Sequence, residues 1–315
     1  MSDRGHVPLG PGAEFDAIRE LLEQWGPLSA GAGDDAALLT VPAGARLVAS
    51  TDATVEDVHF RDGWITPTEI GYRAVTAALS DLAAMGAAPL GVLTAWVVPA
   101  SWRSRVADIA HGVGEAVARA GTVVMGGNLS DGSKLAITST VLGSVRTPLR
   151  RDGVRVGDAL YVTGRLGGVG AALAAFLAGN TPGPEHRERF ARPVARLSEG
   201  EWLATYGAHA AVDISDGLVA DAAHLAAAGR VGIELDLGAI PLAPGVTARA
   251  ALVSGEEYEL LVAAPSALDG DAFQNAHQVP LTMVGRVVAR HPGQVVVLED
   301  GHHVAVGHGH DQFLA

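Results

Sequence analysis

Acidic residues in this chain stand beside Gly, Ser or Thr at the ends of apolar runs. The clearest cases are Gly33-Asp34-Asp35, Ser50-Thr51-Asp52, Ser80-Asp81 and Asp213-Ile214-Ser215-Asp216-Gly217, with Gly126-Gly127-Asn128 as an amide counterpart. Apolar runs of this kind become buried strands and helices. A fold in which their ends converge must pack many like charges together. Carboxylates a few ångströms apart repel, and raise each other's pKa, unless a cation neutralises them. Carboxylate, amide and hydroxyl oxygens are also the ligands that hard cations such as Mg²⁺ prefer. The pattern points to a site with several metal ions that handles a polyphosphate.

The rest of the composition narrows the choice. A chain of 315 residues is long enough for about two domains. A 48% hydrophobic and 18% charged composition belongs to a globular protein. The formal charge of −13 disfavours nucleic acid or an anionic membrane as a partner. An acidic chain that binds an anion needs metals or local arginines, and Lys134 is the only lysine. Without cysteine there is no disulfide, no thiolate metal site and no Cys nucleophile. Residues 1–12 are rich in Gly and Pro, lack a signal-peptide layout, and are expected to be a flexible tail. No apolar run reaches the roughly 18 residues of a membrane span. The expected location is cytoplasmic.

Periodicity predicts a helix over 14–25, a strand over 46–50 that runs into Thr51-Asp52, and a helix that opens at the capping box Thr66-Pro67-Thr68-Glu69 and runs to about Met85. Next come a strand over 90–98, a helix capped by Ser101, a strand over 122–125 ending at Gly126-Gly127-Asn128, and a strand over 135–145. The Arg-rich stretch 146–155 reads as the domain boundary. The second half offers strands over 159–163, 210–214, 233–237, 258–263, 282–288 and 294–298, and helices over 169–177, 193–206 and 217–228. Helices and strands mix without strict βαβ alternation, so the expected class is α+β. The expected domains are 13–147, with a mixed sheet, and 148–315.

Asp81 is the most informative single acid, because it lies inside a helix of Ala, Leu and Met, where Asp is a poor resident. Asp52 reads equally as a turn cap and as a ligand. His59, after Val55-Glu56-Asp57-Val58, reads as a surface histidine or a phosphate contact. Asp213-Ile214-Ser215-Asp216 is a compact oxygen set without the EF-hand glutamate, although Asp216 could simply cap a helix. Gly126-Gly127-Asn128 is a tight turn or a place where amides approach phosphate. The glycine-rich turn Gly164–Gly170 lacks dinucleotide spacing and reads as a helix start with a possible phosphate contact. There is no P-loop and no kinase H-R-D or D-F-G. Phosphoryl transfer would have to rely on metals and Arg. His302, His303, His308 and His310 read as a solvated strand and tail more readily than as a metal site.

Taken in order, these stretches resemble the thiamine-monophosphate kinase family of the aminoimidazole-ribotide-synthetase-like superfamily. The likeness also uses Arg151 before Gly157-Asp158, Val162-Thr163-Gly164, and Gly255-Glu256 with Tyr258-Glu259-Leu260. It implies ATP as co-substrate, thiamine monophosphate as acceptor, and direct in-line transfer with no phosphoenzyme. It also implies two α+β domains and a homodimer built through the N-terminal domains. By the same resemblance Asp35, Ser50, Thr51, Asp52, Asp81, Asn128, Asp213 and Asp216 would hold Mg²⁺. Gly127, Asn128, Arg151 and Ser215 would meet the nucleotide, and His59 and Glu256 the substrate. This chain departs from the pattern at Asn128, which replaces an Asp of some members, at Ser254 where Gly is usual, and at Glu257 where Asp is usual. Gly307 stands near the place of a C-terminal Trp, and the tail offers Phe313 and histidines instead.

Besides a structural Ca²⁺-binding role, which the missing secretion signal disfavours, two other readings remain open at this level. One is another ATP-dependent synthetase of the superfamily, although its selenophosphate and hydrogenase-maturation branches use a Cys that this chain lacks. The other is a non-catalytic paralogue that binds metal and nucleotide.

Overall fold

The computed structural model describes residues 13–307 and 309–310; the expected tail over 1–12, His308 and Phe313 lie outside the described residues. The described chain forms two compact units. One holds the residues up to Leu82 and Ala88–Arg146, and the other holds Ala83–Ala87 and the residues from Thr147 onward.

The first unit follows the order α1 (Ala13–Trp25), β1 (Arg46–Val55), α2 (Pro67–Ala84), β2 (Ala88–Val97), α3 (Val106–Arg119), β3 (Val124–Ser130) and β4 (Ala136–Val145). Its four-stranded sheet has the order β1-β4-β2-β3, with β2 and β3 parallel and the other pairs antiparallel. The capping box of α2 closes reciprocally. The Glu69 N–H donates to Thr66 Oγ1 at 3.2 Å, and the Thr66 N–H donates to Glu69 Oε2 at 2.7 Å. Residues 71–80 of α2 are all buried. Glycine lets α2 and α3 meet backbone to backbone: a Cβ on Gly71 would lie 2.0 Å from the Ile109 carbonyl oxygen, and one on Gly112 1.8 Å from that of Thr68. Along β4, Ile137, Ser139 and Val141 are buried while Thr138 and Thr140 are half-exposed, so one sheet face is covered and the other open.

Three expectations for this unit change. β1 does not end at Ser50 but continues to Val55, so Thr51 and Asp52 lie inside a strand. Gly126-Gly127-Asn128 is not a turn, because Gly127 pairs with Thr94 and Asn128 with Ala95 inside β3. The glycine marks close approach: a Cβ on Gly127 would lie 2.0 Å from the Thr94 carbonyl oxygen. Ser101 does not cap α3; Ala100–Arg105 forms a 3₁₀ turn and α3 starts at Val106.

The second unit contains β5 (Ala159–Thr163), α4 (Gly168–Leu177), α5 (Pro184–Ala191), α6 (Leu197–Thr205), β6 (Ala210–Asp213), α7 (Leu218–Gly229), β7 (Gly232–Asp236), α8 (Ala248–Leu252), β8 (Leu260–Ala264), α9 (Gly270–His277), β9 (Leu281–Val288), β10 (Val295–Glu299) and β11 (His302–Val304). Its seven-stranded sheet has the order β11-β10-β7-β9-β5-β8-β6, and β10 with β7 is the parallel pair. Both faces are covered. Leu160, Val162, Val212 and Leu261 meet Leu218 and Leu225 of α7 in one core, and Tyr161, Ala211 and Val262 meet Leu203 and Phe273 in the other. Continuous apolar runs such as Ala159–Thr163 follow from burial on both sides. The expected helix over 193–206 shortens to α6, while α5, α8 and α9 are additional. Among the described residues no helix is long and apolar enough to cross a membrane. The fold is α+β in both units.

Candidate functional site

In the first unit the acids attach to opposite edges of the sheet. Asp81 is the first half-buried position after the twelve consecutive buried residues 69–80 of α2. Its Oδ2 accepts the Ser50 hydroxyl of β1. Strand alternation puts Asp52 on the same face as Ser50, and Asp52 Oδ1 accepts the Ala53 N–H at 2.7 Å. Thr51 points to the other face, where its Oγ1 lies 2.9 Å from that of Thr140. Ser50 and Asp81 therefore meet on the face that Asp52 shares, and the Thr51 side chain does not join them.

At the far edge, Asp35, Gly127 and Asn128 line one cavity of about 220 Å³ with Asp34, Trp25 and Trp96. Asn128 commits its Nδ2 to Ser130 Oγ at 3.0 Å, which leaves Oδ1 as an acceptor. Asp52 pairs with Ser139, Ser139 with Thr94, and Thr94 with Gly127. Gly127 thus shares a transverse row with Asp52 but lies three strand spacings away, about 14 Å. His59, in the loop after β1, accepts the Val55 N–H on Nδ1 at 3.1 Å. In the neutral ring that places the proton on Nε2, an outward donor.

In the second unit Asp213 is buried at the end of β6, and Ser215 and Asp216 follow half-buried in the turn to α7. The loop Ser254–Glu259 is laced to this turn. The Glu256 N–H donates to the Ser215 carbonyl at 2.7 Å, the Tyr258 N–H to that of Ile214 at 2.9 Å, and the Ile214 N–H to that of Glu259 at 2.7 Å. Glu256 and Tyr258 hold left-handed φ values of 56° and 53°. Such conformations cost on the order of 1–3 kcal/mol each and persist where the surroundings over-determine them. Glu256 is thereby fixed beside Ser215. The C-terminal segment reaches the same turn: the His310 N–H donates to the Asp216 carbonyl at 2.8 Å, and a Cβ on Gly309 would lie 2.4 Å from that oxygen. Arg151 stands exposed in the 3₁₀ turn Arg151–Gly153.

Asp221, which sequence reasoning passed over, organises this turn. Its Oδ2 accepts the N–H groups of Ser215, Asp216 and Gly217, each at 3.1 Å. Burial first, and the Asp213 carboxylate second, push Asp221 up to about 8. Ligand atoms of Asp216, Asp221 and His224 lie within 4.8 Å of one another. The capping role open to Asp216 is absent: α7 has no side-chain N-cap bond, and Asp221 serves the first amides from within. The signal was available, since Asp221 interrupts a run of Ala and Leu as Asp81 does.

The glycine-rich turn before α4 has no free amides for a phosphate at three of its positions. The N–H groups of Gly167 and Val169 donate to Glu257 Oε1 at 2.7 and 3.2 Å, and that of Gly170 donates to Ser254 Oγ at 2.8 Å. Ser254 Oγ in turn donates to Glu257 Oε1 at 2.6 Å. Burial pushes Glu257 up. The two departures from the family pattern, Ser254 and Glu257, therefore form one bonded unit.

Two family models match the chain: "AIR synthase related protein, N-terminal domain" over residues 33–145 and "AIR synthase related protein, C-terminal domain" over residues 155–298. A curated relative, the thiamine-monophosphate kinase of Methanospirillum hungatei, is 37% identical over 277 residues, 85% of this chain and 91% of that one. The solved thiamine-monophosphate kinase from Stenotrophomonas maltophilia superposes with a TM-score of 0.81 at 31% identity, covering 93% of this chain and 98% of that chain. A structure described as AaThiL complexed with AMPPCP and TMP gives 0.75 at 31% identity, covering 94% and 96%. On both units, and over most of its length, the chain belongs to the thiamine-monophosphate kinase family.

Proposed function

We propose that the chain transfers the γ-phosphoryl group of ATP to thiamine monophosphate, giving thiamine diphosphate and ADP. The observation that carries this reading is the relative whose complex holds AMPPCP and TMP on the same fold at 31% identity. The acids of both units support it, because Ser50 with Asp81 in one unit and Asp213 with Asp216 in the other offer the kind of oxygen ligands that the family resemblance implies.

The donor set fits a hard divalent cation. It consists of carboxylates, hydroxyls and one amide, and the Asp213 carboxylate lies close enough to Asp221 to add to the rise that burial causes there. Asp35, Ser50, Thr51, Asp52, Asp81, Asn128, Asp213 and Asp216 are the proposed Mg²⁺ residues, Thr51 through groups other than its outward hydroxyl. Bound Mg²⁺ would supply charge neutralisation for the phosphates.

The residues of the chain then bind and orient. Gly127, Asn128, Arg151 and Ser215 are assigned to the nucleotide. His59 offers its Nε2–H to the acceptor phosphate, and Glu256 faces the substrate from its fixed loop. The bond from the γ-phosphorus to ADP breaks as the bond to an acceptor phosphate oxygen forms in line. That oxygen is already anionic, so no general base is required and no phosphoenzyme forms. Positioning and charge complementarity carry the rate.

Residues 13–147 supply the metal and nucleotide residues from Asp35 to Asn128 and the dimer contact, and 148–315, the C-terminal α+β part, adds Arg151, Asp213, Ser215 and Asp216. The open face of the four-stranded sheet is the surface a second copy would cover. Cytoplasm, where ATP is available, is the proposed location. The test is ATP consumption with and without thiamine monophosphate at varied Mg²⁺. Stoichiometric ADP and thiamine diphosphate are expected. Binding of ATP with Mg²⁺ but no acceptor-dependent product would overturn the reading in favour of a regulator.

A further inference from the structure

Three successive N–H groups that point at one spot form a nest, and nests ordinarily take anions such as phosphate. At the start of α7 the amides of Ser215, Asp216 and Gly217 form such a nest, and Asp221 fills it with its own Oδ2. Asp221 is 1% exposed, and it rides on a helix whose Leu218, Ala222 and Leu225 are locked in the core. The start of α4 is closed in the same way, by Glu257 and Ser254. The amides at the starts of α7 and α4 are thus taken up by side chains from inside.

Resting on the kinase reading, we propose that Asp221 is a positioning residue for phosphoryl transfer: it anchors the amides of the 215–217 turn to the core and so fixes Asp213, Ser215 and Asp216 for the metal–nucleotide. It also denies those amides to the phosphates, which are left to the turn's side chains. What matters is an acceptor oxygen at that spot. Asparagine keeps one there, alanine removes it, and glutamate displaces it by a methylene.

The experiment compares wild type, Asp221→Ala, Asp221→Asn and Asp221→Glu by calorimetric titration with AMPPCP and Mg²⁺, and by steady-state kinetics in ATP. Asp221→Ala is expected to weaken analogue binding and raise the KM for ATP about tenfold or more, the usual scale for losing a group that orients ligands. Asp221→Asn should stay within about threefold of wild type, under 1 kcal/mol by the affinity relation. Wild-type affinity in folded Asp221→Ala, or equal losses in Ala and Asn, would overturn the proposal. If Asp221→Ala does not fold, the order of Asn and Glu decides: Asn retained and Glu impaired supports positioning, and the reverse refutes it. A wild type without acceptor-dependent turnover would sink the kinase reading, while the calorimetric comparison would still judge Asp221.

Discussion

Buried carboxyls in this protein are held in two ways, and the difference sets how each responds to pH. Glu234 is buried between Arg286 and Arg290, and although burial opposes it, these two partners hold its carboxyl below the usual range. Asp221 has amides but, among the described residues, no Arg or Lys partner, and burial, then Asp213, raises it from 3.8 to about 8. The folded-state value lies above the unfolded one, so protonated Asp221 favours the folded state. That contribution is complete below about pH 4 and is lost as pH rises through about 8. Four units correspond to on the order of 5 kcal/mol. In chelator, Asp221→Asn should gain stability over wild type as pH climbs from about 4 to 8, and the gap should level off above 8. Urea midpoints across that range are the measurement; a gap that does not change with pH would remove the titration account. Glu257 and Ser254 make a second case. Asp at 257 is too short to reach both Gly167 and Ser254, so Glu257→Asp should destabilise by about 1–3 kcal/mol by stranding buried donors. Ser254→Gly added to it should cost less than the two single losses summed, which a double-mutant cycle of unfolding free energies would record.

At the level of elements, what the sequence disclosed depended on whether the signal was local. α2 was legible from end to end, because its capping box, its apolar run and Gly86 are all local. β3 was not, because a Gly-Gly-Asn run carries the same letters whether it turns the chain or lets two strands approach, and only the neighbour Thr94 distinguishes the two. The short helices α5, α8 and α9 gave too few residues to show a period. Thr51 looked like part of one ligand trio, yet strand pairing turns its hydroxyl to the opposite face. Asp221 carried a readable signal that was overlooked beside its more conspicuous neighbours. The Gly71–Gly112 crossing is tertiary information and gives the element-scale prediction. Gly112→Ala puts a methyl 1.8 Å from a backbone carbonyl, which no side-chain rotation relieves. The helices must part, at a cost of about 1–3 kcal/mol or more for overpacking. A urea unfolding curve that matches wild type would show that the crossing tolerates a methyl group.

On the scale of the whole molecule, the open sheet face is the feature that asks for a partner. Strand alternation assigns to it Ala49, Thr51 and Ala53 of β1, Thr138 and Thr140 of β4, and Ala95 of β2. Ala49, Thr51 and Ala95 are exposed. No residue that alternation places on this face, over the four strands, carries a charge. In a chain with a formal charge of −13, an uncharged sheet face of aliphatic, small and hydroxyl side chains is a surface suited to close approach by another sheet. The homodimer proposed above uses it, and Ala95 lies on an inner strand of that face, in register with Asn128 of β3. Ala95→Arg puts a guanidinium where two such faces would meet, next to its own copy across the twofold axis. The expected result is a monomer by light scattering coupled to size exclusion, at concentrations where the wild type runs as a dimer. Far-UV circular dichroism should not change, since the side chain projects away from the core. A variant that stays dimeric would move the contact to another surface. A wild type that is monomeric would remove the dimer while leaving the ligand residues where they are.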